Sequence, residues 1–309
     1  MSDIPANQIG SKDRSVGWYD PPLETVDEAI RTLLQEYSGI PTEKVLSRII
    51  AVVSPPSLSL SLLFHCTSQI DNLTDIPFPP RHVQRDKLWD IFPWPCIGQF
   101  RFLDLSLRRQ PRYQTILSRV RSGDRFLDVG CCMAQDLRAL VHDGAPAENL
   151  FGLEMEEAFL DIGYEFFGDR DKLSGVKFIH GDLLDRENEE MKGLARTFGI
   201  IQLGMVLHIW DWEGQVRACE RVVELLRDEK GVMIVGQSVG SLKGKPVPAR
   251  GKEIFKHDPD TFAAMWEEVG KRTDTNWRVR AVLVEFERRS WDEEDTRKLS
   301  FEVERVMIA

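Results

Sequence analysis

Cysteine is sparse and irregular in this chain: five residues, Cys66, Cys96, Cys131, Cys132 and Cys219, with no Cys-x-x-Cys pair. An odd number without framework spacing argues against a disulfide-stapled domain and fits a reducing compartment. The adjacent Cys131 and Cys132 lack His or Cys partners at ligand spacing, so no metal is expected. Positive charge is also short, with 40 Lys and Arg against 50 Asp and Glu and a formal net charge of -10. Such a surface is poorly suited to neutralising phosphates, and no nucleic-acid partner is expected. No run approaches the roughly 18 apolar residues of a membrane span, and the first residues lack the basic start and apolar core of a signal peptide. A cytoplasmic protein without a membrane partner is the expectation. Missing, finally, is the Gly-x-Gly-x-x-Gly fingerprint: Gly130 is followed by Cys132 and Gln135, which argues against a pyrophosphate-bearing nicotinamide cofactor.

What is present is a globular composition, 42% hydrophobic and 29% charged over 309 residues, enough for one catalytic domain with an extension. Residues 1–22 read as a polar arm ending in Asp20-Pro21-Pro22. A helix is expected over Thr25–Tyr37, where Val26, Ala29, Ile30, Leu33 and Leu34 recur at helical spacing. A second opens at Pro41, where proline costs no needed donor. Residues 51–81 then change character, with Ser-Leu repeats and only Asp71 and Asp75 charged between 51 and 80. A structureless insertion of that length is unusual in a compact domain. We read it as an extraneous insert of the kind an unspliced intron would encode, the alternative being a lid. Without it, Val45–Ile49 would run into His82–Trp89 as one helix. The expected domains are a helical extension or cap over 1–110 and a catalytic domain over 111–309.

From Phe126 onward strands and helices alternate, the pattern of an α/β fold with a mainly parallel sheet. Seven strands are expected, at Arg125–Val129, Leu150–Glu154, Val176–His180, Gly199–Met205, Gly231–Gln237, Trp277–Phe286 and Leu299–Val306. Helices are expected at Ala134–Asp143, Glu157–Phe167, Gly214–Leu226 and Pro259–Val269.

Ligands bind at the carboxyl ends of the strands in such sheets. Asp128 and Gly130 end the first strand, where a glycine lets the backbone approach a ligand and a carboxylate suits a cationic one. A turn-forming Asp-x-Gly is the plainer alternative. Glu154 ends the second strand, 26 positions on, where an acid can hold ribose hydroxyls, or merely favour the helix N-terminus that follows. After the third, Asp182 could accept from an adenine amino group beside the Leu183 backbone, unless it forms an ordinary Asx turn. Three such strand ends in order point to a nucleoside cofactor.

This set resembles the class I S-adenosylmethionine-dependent methyltransferases, and the resemblance implies a Rossmann-like seven-stranded sheet with an N-terminal helical extension and S-adenosyl-L-methionine as cofactor. Further runs narrow it: Phe92 to Leu107, Gly130-Cys-Cys-x-x-Gln135-Asp136-Leu137, Leu207 to Gln215, and His257-Asp258 with Trp266 to Gly270. These resemble a fungal subgroup from meroterpenoid and related polyketide-terpenoid pathways, similar over most of the chain outside 51–81. The resemblance implies methylation of a small carboxylic acid to its methyl ester. Cys131 is assigned to the cofactor turn with Gln99. Ala134 stands where the subgroup would carry glycine, which a site with negative φ would tolerate.

For the acceptor, His208 after the fourth strand is the candidate to orient it or take a proton, and Arg101 to clamp a carboxylate bidentately, unless it pairs with Asp104. Trp94, Phe100, Trp210 and Trp212 suit apolar walls, and His257 belongs to a region that could cover substrate. The partner is then a small-molecule acid, with a homodimer left open. Alternatives are a phenol or amine acceptor on the same fold, or a methyltransferase-like binding or scaffold protein without turnover.

Overall fold

The computed structural model describes residues 10–20, 23, 25–49, 83–249, 251–285 and 292–306. The 51–81 segment, and with it the expected joining of two helices across it, lies outside the described residues.

Seven strands form one sheet in the order β3-β2-β1-β4-β5-β9-β8, where β1 is Phe126–Val129, β2 Leu150–Glu154, β3 Lys177–His180, β4 Ile200–Gly204, β5 Met233–Ser241, β8 Asn276–Val284 and β9 Thr296–Val306. The first five are parallel, and β9 runs antiparallel between β5 and β8. All residues of β1 and β2 are buried, as central strands covered on both faces require. The alternating exposure of β8 marks an edge strand packed on one face.

One face is covered by α9 (Trp212–Leu225) and α10 (Pro259–Thr273), whose Val216, Val222, Phe262 and Trp266 join Leu127, Ile201 and Phe301 in one core. The other carries α5 (Tyr113–Arg121), α6 (Gln135–His142) and α7 (Glu157–Phe167), with Ile116, Leu137 and Leu160 against Phe126 and Ile200. The caps are local: Asp211 accepts from the Gly214 amide, and Asp258 forms a capping box with Thr261 ahead of Pro259.

The N-terminal region supplies a third core. Here α1 (Glu28–Thr32) passes directly into a π-helical turn (Leu33–Tyr37), correcting the single regular helix expected there. With α2 (Thr42–Ile49) and α3 (Val83–Ile91) it buries Leu33, Val45, Leu88 and Trp89 against Phe159, Phe166 and Phe167 of α7. A buried ion pair anchors this packing. Arg138 donates to both Asp169 oxygens, at 2.7 and 3.0 Å, and the Tyr37 hydroxyl to one of them at 2.7 Å.

Two further features differ from the sequence reading. A hairpin of β6 (Lys245–Ala249) and β7 (Lys252–Lys256) intervenes between β5 and α10. Its short alternating runs, one with two prolines, gave little strand signal. More consequential, α6 begins at Gln135, with Ala134 as a left-handed cap at φ 55°. The negative φ on which tolerance of alanine was conditioned is not met. Gly130 at 69° and Cys132 at 53° precede it, so the turn alternates into the left-handed region three times. For an L-residue that conformation costs about 1–2 kcal/mol, whereas the buried Ala134 methyl returns about 0.8 kcal/mol. Ala134→Gly should therefore change stability by less than about 1 kcal/mol, while the β-branched Ala134→Val should lose more than about 2 kcal/mol. Denaturant unfolding of both variants measures this, and an unperturbed Val variant would contradict it.

Candidate active site

The site forms where β1 turns into α6. Gly130 and Cys131 both donate to the Leu153 carbonyl, at 2.8 and 3.2 Å, which pins the turn to β2. A Cβ on Gly130 would stand 2.8 Å from Val206 Cγ2, so glycine is needed for space as well as for φ. Glu154 then bridges the two strand ends. One carboxylate oxygen accepts from the Cys132 amide at 2.8 Å, and the other from Met155 and Glu156 at 2.9 and 3.1 Å. Cys131 turns its thiol inward, where a Cβ on Gly152 would lie 2.9 Å from its Sγ.

Asp128 is joined at this edge by a residue that sequence reasoning did not single out. Asp136, in the first turn of α6, is buried and accepts from Ser106 Oγ at 2.9 Å, the Leu107 amide at 3.1 Å and Gln202 Nε2 at 3.0 Å. Gln202 is the β4 register partner of Asp128. Burial raises all three acids: Asp128 well above the usual carboxylate range, with Asp136 and Glu154 adding repulsion, Asp136 to about 6, and Glu154 upward despite its amide donors. Among the described residues none of the three has an ion pair. Retaining protons relieves such a cluster, and so does a bound cation, which favours the ionised form.

A strap from the N-terminal region passes over this edge. Its first turn, α4 (Pro95–Gly98), is held by Gly98, whose carbonyl accepts from Asp20 at 3.1 Å and whose Cβ would meet the Trp18 carbonyl oxygen at 2.2 Å. Cys96 of α4 lies within electrostatic reach of Glu154 and of Cys132, which brings α4 near the turn. Gln99 Nε2 is buried without a hydrogen-bond partner among the described residues, as is Gln202 Oε1. Downstream, Gln237 Nε2 donates to the Ser106 carbonyl at 3.2 Å.

Asp182 follows β3, and its Oδ1 accepts from the Leu184 amide at 2.9 Å, which is the Asx turn given as the alternative. Leu183 is buried in the core. The open surface here is Met155, 53% exposed, whose carbonyl is 2.6 Å from His180 Nε2. A polarizable thioether beside the β2 acid suits the face of an aromatic ring. Its sequence signal was an apolar residue directly after Glu154, obscured by the helix that follows.

On the acceptor side, Met205 at φ 59° turns the chain out of β4 into a short 3-10 turn carrying His208. The β6–β7 hairpin backs this turn, with Phe255 donating to the Trp210 carbonyl at 3.0 Å. Arg101 pairs with Asp104 at 3.3 Å. Trp94 stacks on Phe92 and remains half-buried. Two residues expected at the acceptor are not brought to an open face. Phe100 is buried under the Arg85 guanidinium. His257, 2% exposed, sits among Trp212, Phe255 and Phe262, and burial lowers it to about 4. Phe100 was expected to wall the acceptor site and His257 to lie in a region covering it, and apolar packing took both. Trp212 belongs to that same aromatic group and donates to Glu268 at 2.9 Å.

A doubly wound sheet with a glycine turn and buried acids at its carboxyl edge is the arrangement expected of a class I methyltransferase. Comparison with known proteins agrees. The family described as the meroterpenoid methyltransferase N-terminal domain matches residues 80–103, which include the strap's first turn. O-methyltransferase atr3 of Stereocaulon alpinum is 36% identical over 98% of this chain and 80% of its own length. O-methyltransferase phiE of a fungal species is 33% identical over 86% and 79%, and methyltransferase ausD of Penicillium brasilianum 32% over 90% and 85%. Among solved structures, a Burkholderia thailandensis 1,6-didemethyltoxoflavin-N1-methyltransferase with bound S-adenosylhomocysteine is 14% identical, with a TM-score of 0.45, over 84% of this chain and 95% of that one. The chain belongs to the family of fungal S-adenosylmethionine-dependent methyltransferases of secondary metabolism. No helix among the described residues is long and apolar enough to cross a membrane.

The residues present fit S-adenosylmethionine: an uncompensated acidic cluster for its cationic end, a turn that only glycine can make beside Val206, and buried Gln99 and Gln202 amide atoms awaiting partners. A carboxyl whose folded value exceeds 3.8 holds its proton longer than in the unfolded chain. Ionising Asp136 therefore costs stability as pH rises from 3.8 towards about 6, and a bound cation offsets that cost. Cofactor affinity should rise with pH through about 6, and binding below that pH should release protons. Calorimetry in buffers of different ionisation enthalpy reads both, and affinity falling as pH rises would contradict the assignment. Separately, Asp128→Ala should weaken the cofactor about tenfold or more. Arg101→Ala should act mainly on acceptor KM, and equal cofactor weakening by both would refute that division.

Proposed function

We propose that this methyltransferase acts on oxygen, converting a small-molecule terpenoid or polyketide carboxylate into its methyl ester, with 1–110 as cap and 111–309 as catalytic domain. The observation that supports this most is a concentration of positive charge at the acceptor side of a protein whose net charge is -10. Arg101 shares Asp104 with Arg109, at 3.3 and 3.9 Å, and both cations bear on Lys298 of β9. An anionic acceptor is drawn to such a cluster, whereas a neutral phenol gains nothing from it.

S-adenosylmethionine supplies an electrophilic methyl group on a sulfonium. On this reading the Asp128, Asp136 and Glu154 cluster holds the positive cofactor, Met155 bears on its adenine face, and Gln99 donates to its carboxylate. Arg101 grips one oxygen of the acceptor and leaves the other in line for attack. Alignment then carries most of the acceleration. A carboxylate is ionised near neutral pH and needs no base, so His208 orients the acceptor and removes no proton.

Incubation with S-adenosylmethionine and a panel of aromatic and terpenoid acids should give methyl esters, identified by mass and by cleavage in mild alkali. Alkali-stable ethers would instead support a phenol acceptor. Under the ester reading His208→Ala should lower kcat by less than about tenfold, whereas a general base would cost about 100-fold to 10,000-fold. Single-turnover kinetics separates the two.

A further inference from the structure

Lys298 stands apart from the other charges of the site. In β9 it is the register partner of Val239, and Ser300, Glu302 and Glu304 are those of Gln237, Val235 and Met233. Lys298 therefore lies on the sheet face that carries Gln237, Gln202 and Asp128, one alternation beyond Ser300 towards the carboxyl edge. The segment that follows the strap covers this face. Gln110 lies 3.4 Å from Ser300 Oγ, and Arg112 pairs with Glu302 at 2.8 Å and Glu304 at 3.3 Å. Glu302 and Glu304 thus meet an arginine, but past Ser300 the row ends in a lysine within electrostatic reach of two more.

Lys298 is half-buried, with Arg101, Arg109 and Asp104 in electrostatic reach, and makes no ion pair among the described residues. Asp104 serves Arg101 and Arg109, and Asp27 takes Arg109 at 3.2 Å. Burial and the two guanidiniums together push the ammonium below its ordinary value. A half-buried ammonium facing like charges costs stability unless an anion joins it.

We propose that Lys298 is the specificity-determining residue for an acidic acceptor, completing with Arg101 and Arg109 a site for one carboxylate. The proposal rests on the ester reading above. It adds a consequence: methylation removes the acceptor's negative charge, so the product loses its hold on Lys298 and dissociates more readily than the acid.

The test compares the wild-type protein with Lys298→Gln and Lys298→Arg, using a hydroxybenzoic acid, a terpenoid acid and the methyl ester of each. Binding is measured with S-adenosylhomocysteine present, and turnover with S-adenosylmethionine. Lys298→Gln should weaken binding of the acids and raise their KM by about tenfold or more, as expected for loss of one charged contact. Ester binding and cofactor Kd should not move, kcat should change little, and Lys298→Arg should restore most of the acid affinity. Two results would overturn the proposal: acids binding equally to wild type and Lys298→Gln, or acids and their esters binding equally to wild type. If the wild type binds acids through Lys298 but methylates only hydroxyl groups, the ester reading fails while the anion site stands.

Discussion

Three carboxylates buried at one edge of a sheet repel one another and, unrelieved, oppose the fold that holds them. Asp128 ends β1, Glu154 ends β2 and Asp136 opens α6, and burial raises all three. The polypeptide meets part of the cost with neutral donors: the Cys132, Met155 and Glu156 amides on Glu154, and Ser106, Leu107 and Gln202 on Asp136. The buried guanidinium of Arg138 is committed to Asp169. On the proposed reading a cationic cofactor neutralises the remaining charge, so that one arrangement gives the cofactor its affinity and its binding stabilises the fold.

The strap and the chain that follows it give the carboxyl edge a direction. From Gln99 near the glycine turn through Ser106 and Leu107 on Asp136, this segment reaches Ser300 and Glu302 on β9. One end of its path is acidic and the other carries Arg101, Arg109 and Lys298. On the proposed reading a cation and an anion are thereby drawn to neighbouring places, the arrangement a reaction between a sulfonium and a carboxylate calls for. The N-terminal helices hold the strap in position through their own core and the Arg138, Asp169 and Tyr37 contacts.

The strand cores were legible because a buried strand is a short, largely apolar run, and Phe126–Val129, Leu150–Glu154 and Ile200–Gly204 are such runs, each with a single polar residue. Asp128, Gly130 and Glu154 were legible because acids and glycine at the ends of such runs break the pattern. Asp136 was hidden inside a helical sequence where an acid in the first turn is ordinary. Lys298 was hidden in an exposed-looking alternation, and the β6–β7 hairpin by its prolines. His257 and Phe100 were misjudged because a ring that serves chemistry and a ring that fills a core look alike until their neighbours are known.

By itself the sequence determined the order of strands and helices, the acids at three strand ends and the family, all carried by neighbours in the chain or by similarity along it. Only the tertiary structure decided that Ala134 sits in the left-handed region, that Glu154 closes the turn through the Cys132 amide, and that Lys298 comes within electrostatic reach of Arg101 and Arg109 across nearly 200 residues of chain. The reason is physical. Local pattern specifies how each segment buries its own apolar face, whereas charge, strain and hydrogen-bond satisfaction depend on which distant groups share the space left over.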